Sequence, residues 1–412
     1  MTFPIEAVRA RFPALAVTDR GRPRIYFDAP GGTQVCADAI NELTHHLVSG
    51  TANAGGAFIT SVGVDVLTDK AHKVVAELIG AEADEIAFGP NMTSLTLAAS
   101  RAISRDWIAG DEIVLTRLDH DANVAPWLAI AEDRNLVVRW LNFDPATGRL
   151  NLSKLPSLLS RRTRVVAVGG ASNALGTVAD LATIVDTVRK HSFALIYVDA
   201  VQLAPHTLLD VKSLGCDLLA FSPYKVFGPH AGVLWCRQAL AETIPAYKVR
   251  PASTVGARRF ETGTPSFEAQ AGIIGTVNYL EWLGSTVASG ATTRRERLVA
   301  AFAACEVYEA EIGGALLAGL RRMNSVRLYG PKEMAGRVTT FAFTVEGYSP
   351  EAVVQHLADH RIFAWSGHFY AVETVAALGL AETGGLVRVG LCHYNTAKEV
   401  AHFLQVMENL TA

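Results

Sequence analysis

Residues 194–202 read Ala-Leu-Ile-Tyr-Val-Asp-Ala-Val-Gln, and residues 218–225 read Leu-Leu-Ala-Phe-Ser-Pro-Tyr-Lys. In both, an unbroken apolar run stops at polar residues: Asp199 in the first, Ser222 and then Lys225 in the second. A strand without alternation is buried on both faces, as in a parallel sheet covered by helices. Similar runs stand at 85–88, 112–116, 137–143, 164–168 and 233–236. Helical stretches at 93–105, 122–134, 152–159 and 181–190 separate most of them. Ahead of them, Val64, Leu67, Ala71, Val74 and Leu78 mark one face of a further helix. The alternation predicts an α/β fold with a mostly parallel sheet.

The C-terminal part has another pattern. Helical regions at 266–283 and 294–320 precede a strand at 338–343, a helix at 350–360 and strands at 362–365 and 386–391. A last helix carries Val400, Phe403, Leu404 and Met407 on one face. This predicts a small α+β domain. The expected division is a large domain over 21–285 and a small one over 286–412, joined by residues 1–20.

Composition narrows the function classes. Of 412 residues, 50% are hydrophobic and 19% charged, with a net charge of −3. Disordered chains have the opposite balance. No run of 18 apolar residues is present, so no membrane span is expected. Basic residues cluster only in pairs such as Arg161-Arg162 and Arg258-Arg259, which argues against nucleic acid as a partner. Glu6, Arg9 and Arg11 interrupt the N-terminus, so no secretory signal is expected. Five scattered cysteines without a CxxC suggest reduced thiols and a cytoplasmic protein. Neither GxGxxG after the first strand nor a P-loop occurs. His356 and His360 have metal-pair spacing but no HExxH around them, and no metal site is expected.

In open parallel sheets, ligands bind beyond the carboxyl ends of the strands. Four places there carry chemistry. Asp199 fits a helix N-cap, or a partner for a cationic ring nitrogen or a metal. Lys225 is a surface loop lysine or a desolvated amine that reacts with an aldehyde. Asn91-Met92-Thr93-Ser94 is a helix cap or a phosphate site. His120, within Asp119-His120-Asp121-Ala122-Asn123, is a structural loop residue, a stacking partner or a proton carrier. Together they supply an anion site, an aromatic face, an acid for a ring nitrogen and an amine for an aldehyde. Pyridoxal 5′-phosphate (PLP) requires that set.

The chain resembles the class V aminotransferase family of fold-type I PLP enzymes, and within it the cysteine desulfurase/selenocysteine lyase branch. The family's Val-Asp-Gly-Ala-Gln is matched by Val198 to Gln202, and its Ser-x-His-Lys-x-x-Gly-Pro by Ser222 to Pro229. Its Glu-His-His-Ala-Asn stands as Asp119 to Asn123, followed by Pro126-Trp127. Its Ser-Asn-x-Leu-Gly stands as Ser172 to Gly176, and its Glu-x-Gly-Thr-Pro as Glu261 to Pro265. The resemblance implies a seven-stranded sheet in the large domain. It implies that Lys225 holds PLP, that Asp199 pairs with the ring nitrogen and that His120 stacks on the ring. Gln202 and Asn173 would lie near the ring hydroxyl, with Asn173 also facing substrate. Thr93 and Ser222 would bind phosphate, joined by Thr264 from a neighbouring subunit. Arg388 would clamp the carboxylate of an amino-acid substrate. A homodimer with shared active sites follows.

The departures bear on the reaction. The branch carries Gly-His-His-Cys-Ala on a C-terminal loop, and its Cys accepts the substrate sulfur. Here the loop reads Gly367-His368-Phe369-Tyr370-Ala371. Tyrosine cannot hold a persulfide. The family's Asn-x-His-Arg is replaced by Asn53-Ala54-Gly55-Gly56, an Arg by Trp365, and the His before the lysine by Tyr224. The side-chain pocket has lost basic groups, so a larger or less polar substrate is expected. These residues favour a C–X β-lyase, foremost C–S. Tyr370 or His368 would serve as a second acid/base, or Tyr370 would only close the pocket. An aminotransferase, an epimerase or racemase, or a non-catalytic PLP-binding protein are the alternatives.

Overall fold

The computed structural model describes residues 3–411. Seven strands build its central sheet: β1 Ile86–Gly89, β2 Glu112–Thr116, β3 Val137–Leu141, β4 Thr163–Gly169, β5 Leu195–Asp199, β6 Leu218–Phe221 and β7 Gly232–Cys236. Their order across the sheet is β1-β7-β6-β5-β4-β2-β3. Only β7 runs antiparallel to its neighbours. This is the mostly parallel sheet that the apolar runs predict.

Those runs are apolar because each strand feeds two cores. Val166, Val168, Ile196, Val198, Leu219 and Phe221 pack on one face. Val165, Ala167, Tyr197, Leu218, Ala220 and Leu234 pack on the other. Burying each large side chain contributes about 1.5–3 kcal/mol.

Helices α1 Ala37–Val48, α2 Ile59–Ile79, α3 Met92–Ile103, α4 Ala125–Arg134 and α5 Leu181–His191 are interspersed with the strands or precede them. Local chemistry fixes their starts. The Asn91 side chain accepts from Ser94 N–H at α3, and the Asp180 side chain from Thr183 N–H at α5. Pro126 sits in the first turn of α4, where its missing N–H costs nothing.

Two long helices follow, α6 Phe267–Val287 and α7 Arg294–Arg322. A capping box between Thr293 and Glu296 starts α7. The second sheet contains β8 Val326–Tyr329, β9 Thr340–Val345, β10 Trp365–Gly367 and β11 Leu386–Gly390, in the order β8-β9-β11-β10. It is antiparallel throughout. Helices α8 Pro350–Asp359, α9 Val372–Ala377 and α10 Ala397–Thr411 complete this part. The strand β8 was not legible in the sequence, since four residues of mixed burial give too short a pattern. The expected strand at 362–365 is two pieces: Ile362–Phe363 pairs in parallel with Ile25–Tyr26, and β10 begins at Trp365. Ile25 and Phe27, which the sequence division places in the large domain, thus belong to the small-sheet core with Phe341, Val387 and Val389. A two-residue strand carries no sign of its partner. No helix among the described residues is long and apolar enough to cross a membrane.

The helices α6 and α7 cross without room for a side chain at Gly284. A Cβ there would lie 1.9 Å from the Arg297 carbonyl oxygen. Gly284→Ala is therefore expected to cost about 2–4 kcal/mol, as overpacked backbone contacts do. Urea unfolding measures this, and wild-type stability would refute the close contact.

Candidate active site

Several strands deliver their following residues to one edge of the sheet. After β1 come Asn91 and Thr93, after β2 His120, and after β4 Asn173. The strand β5 ends on Asp199 with Gln202 beyond it, and β6 leads to Ser222 and Lys225. All line one cavity of about 430 Å³. An adjoining cavity of about 730 Å³ shares Thr93, His120, Asn173 and Lys225. To these the small sheet adds Trp365, Tyr370 and Arg388. Thr264 is not brought in. It is exposed and lines a separate cleft with Ser94, Glu261 and His230.

Burial sets the electrostatics. Lys225 ends a short turn, Pro223–Lys225, and is 5% exposed. Desolvation and the nearby Arg388 cation lower its amine to a pKa of about 7, against the opposing pull of Asp199. Asp199 is pushed up to about 6 by burial, offset by the Val201 N–H on its Oδ1 at 2.9 Å and by Lys225. Arg388 is equally buried and is lowered to about 9 by desolvation. Asp28, near Arg388, is raised to about 6 by the same cause. Burial, then Lys225 and Arg388, hold His120 down at about 3, so its ring is neutral at pH 7. Its Nδ1 accepts the Ala122 N–H at 3.0 Å, which leaves the proton on Nε2.

Unpaired polar atoms show what the cavities suit. Asn173 Oδ1, Gln202 Oε1, Arg388 Nε and Asp28 Oδ1 are buried without a partner among the described residues. Such atoms are costly unless a ligand satisfies them. The rest of each group is held in place. Arg388 Nη1 donates to Asn173 O at 2.9 Å, and the guanidinium lies 4.2 Å from the Phe369 ring centre. Asn173 Nδ2 donates to Phe369 O at 2.8 Å, and Gln202 Nε2 to Thr340 Oγ1 at 3.0 Å. At the other end, Met92 N–H donates to Ser222 Oγ at 3.0 Å in the first turn of α3. The serine proton is left to donate, and a helix N-terminus favours an anion. The set fits a phosphorylated aromatic aldehyde beside an amino-acid carboxylate.

The loop carrying Tyr370 is fixed in a costly shape. Phe369 and Tyr370 take φ of 54° and 57°, a region that costs a non-glycine residue about 1–2 kcal/mol. Asp121 N–H donates to Tyr370 O at 2.7 Å, and Tyr370 N–H to His368 Nδ1 at 3.0 Å. The Tyr370 ring, 66% exposed, stacks 5.6 Å from His120. A Cβ on Gly31 would meet Trp365 Nε1 at 2.8 Å, so the glycine makes room for that indole. Asp28, Gly31 and Phe369 were not singled out from the sequence as site residues. They flank recognised motifs, and only the meeting of the two sheets brings them to Arg388. Among the described residues, no group of three or more His, Cys, Asp or Glu side chains is arranged to hold a metal.

One consequence concerns the cofactor-free protein. Lys225 should be mostly protonated at pH 6 and mostly neutral at pH 8, where ordinary lysines remain protonated. Acylation of Lys225, followed by peptide mass spectrometry, should therefore rise to half its maximum near pH 7. A midpoint near that of exposed lysines would overturn the desolvation argument.

The wider relations agree with this geometry. The profile of the class V aminotransferases matches residues 25–403. The aminotransferase-like protein FGM3 of Gibberella zeae is 32% identical, over 99% of this chain and 98% of that protein. A cysteine desulfurase of Yersinia pestis is 29% identical, over 100% of this chain and 99% of its own. The structure of the cysteine desulfurase from Thermococcus onnurineus superposes with a TM-score of 0.87 at 27% identity, covering 100% of this chain and 98% of that one. Sequence, sheet order and site together place the chain in the class V aminotransferase family of PLP enzymes, with a cysteine desulfurase-like fold.

Proposed function

We propose that this chain is a PLP-dependent β-lyase that cleaves a C–X bond, foremost C–S, of an amino acid. The observation that carries the reading is a desulfurase-like site without a cysteine in it. All five cysteines are buried, and none lines either cavity. Burial raises the Cys36 and Cys216 thiols to about 12 and pushes Cys236, Cys305 and Cys392 higher still. None is poised as a thiolate. Tyr370 stands on the loop where the related branch carries its sulfur acceptor. Elimination needs no such acceptor.

The unpaired Asn173 and Gln202 atoms, the first turn of α3 and the buried Lys225 suit PLP. Bound there, PLP supplies an electrophilic carbon for amino groups and a ring that withdraws electrons from Cα. The chain's own residues do the rest. Asp199 would keep the ring nitrogen protonated, and the neutral His120 would cover the ring. Thr93 and Ser222 would hold the phosphate. Arg388 offers the unpaired Nε and a neighbouring N–H to a substrate carboxylate, a two-point fit that fixes Cα. Lys225 Nζ is the group to take the Cα proton, since its lowered basicity leaves about half of it neutral at pH 7. Tyr370 stands at the mouth, where its hydroxyl can hand a proton to the leaving group. Trp365, Phe369, Leu97 and Pro126 line that side of the cavity. They suit a side chain larger or less polar than that of cysteine.

A homodimer is part of the proposal. Exposed Leu47, Val48, Phe58, Ile59 and Val66 lie on or beside α1 and α2. Thr264, outside its own chain's cavity, would reach the phosphate of a second copy. A monomer in sedimentation at micromolar concentration would count against this.

Purified protein should take up PLP, and borohydride should fix it to Lys225 in a tryptic peptide. Lys225→Ala should yield no fixed cofactor, whereas labelling of another lysine would refute the assignment. Arg388→Ala should lower kcat/KM by about 100- to 1000-fold, as loss of a two-point charged contact does. An amino-acid panel then identifies the chemistry. Keto acid and ammonia released without an amino acceptor support elimination. Acceptor-dependent keto acid would mean transamination, and inversion at Cα without keto acid would mean epimerisation.

A further inference from the structure

A phosphate has more oxygens than the first turn of α3, Thr93 and Ser222 can satisfy, and the lining offers few further N–H donors. Its ionisable residues are His120, Asp199, Tyr224, Lys225 and His230. Asp199 is an acid, and His120 is neutral. Lys225 is committed to the aldehyde carbon in the reading above. His230 is left, although no motif in the sequence assigns it a task.

Three observations place His230 at that end. It lines the same cavity as Thr93 and Ser222. Two residues later the chain runs against the first turn of α3: a Cβ on Gly232 would lie 2.4 Å from Asn91 C and 2.6 Å from its O. Gly232 also pairs with Gly89, just before that turn. Finally, the His230 ring lies flat on Tyr224, with centroids 4.9 Å apart and planes 5° apart. Tyr224 directly precedes Lys225. Stacking fixes the plane of the imidazole and leaves its edge open. His230 is exposed, and neither ring nitrogen has a hydrogen-bond partner among the described residues.

We infer that His230 binds the cofactor phosphate, donating a ring N–H to a phosphate-monoester oxygen beside Thr93 and Ser222. Tyr224 acts as its platform. Where the resembling family has a His before the lysine, this chain has Tyr224 with His230 stacked upon it. The imidazole stands six residues further along the chain, at 230 instead of 224. The inference rests on the reading that the cavity takes PLP.

The test measures cofactor affinity, not turnover. The full-length cofactor-free chain is titrated with PLP and, separately, with pyridoxal, which lacks the phosphate. The wild type is compared with His230→Ala, His230→Phe and His230→Gln, and circular dichroism confirms that each is folded. The alanine and phenylalanine variants should bind PLP about 10- to 100-fold more weakly, the effect of losing a charged hydrogen bond. Their affinity for pyridoxal should match the wild type, and the glutamine variant should recover part of the loss. If His230→Phe holds PLP as tightly as wild type, the ring only stacks and the inference falls. Equal losses for PLP and pyridoxal would also overturn it, since the phosphate would then play no part. If the wild type binds neither compound, the cofactor reading itself fails and takes the inference with it.

Discussion

The amine of Lys225 is buried beside a second buried cation, Arg388, and the site is arranged around that constraint. Removing each ion from water costs several kcal/mol even after relaxation. Two carboxylates, the buried Asp199 and the half-buried Asp28, oppose the repulsion, and both are themselves raised by desolvation. The outcome is a lysine near neutrality, a histidine held neutral and an arginine with unpaired nitrogen. Buried groups of this kind are costly unless a ligand satisfies them. The two apolar cores of the central sheet supply the stability that offsets them.

The site is also a joint between the two sheets. Arg388 comes from β11, yet its Nη1 is tied to Asn173 beyond β4. Gln202, beyond β5, bonds Thr340 at the start of β9. Gly176 takes φ of 75°, and a Cβ there would lie 2.3 Å from the Thr340 oxygen. Contacts this close leave little freedom to the distance between Lys225 and Arg388. Under the proposed function, a substrate held by its carboxylate would be presented to the amine at a set position.

Under the proposed function, elimination, transamination and epimerisation would all begin at Cα, so the residues at the pocket mouth would decide between them. Here the mouth is aromatic, with Trp365, Phe369 and Tyr370. The backbone of the last two is held in a left-handed conformation by Asp121 N–H and Asn173. Under the proposed function this loop would form a wall of the pocket.

The large sheet and most of the residues that line the cavities were legible in the sequence, because each lies within a continuous stretch. An apolar run that stops at Asp199, or at Ser222 and Lys225, states burial and chain direction together. The chemistry of a carboxylate or an amine at such a stop follows from residue type alone. What the sequence left open were facts about partners. It could not show that Ile25 and Phe27 join the small-sheet core, or that β8 forms. It could not show that Phe369 lies under the Arg388 guanidinium, or that His230 stacks on Tyr224. Each of these is a contact between residues distant in the chain or held by a turn. Burial periodicity is a property of one segment, whereas a pKa of about 7 at Lys225 is created by the residues that tertiary packing sets around it.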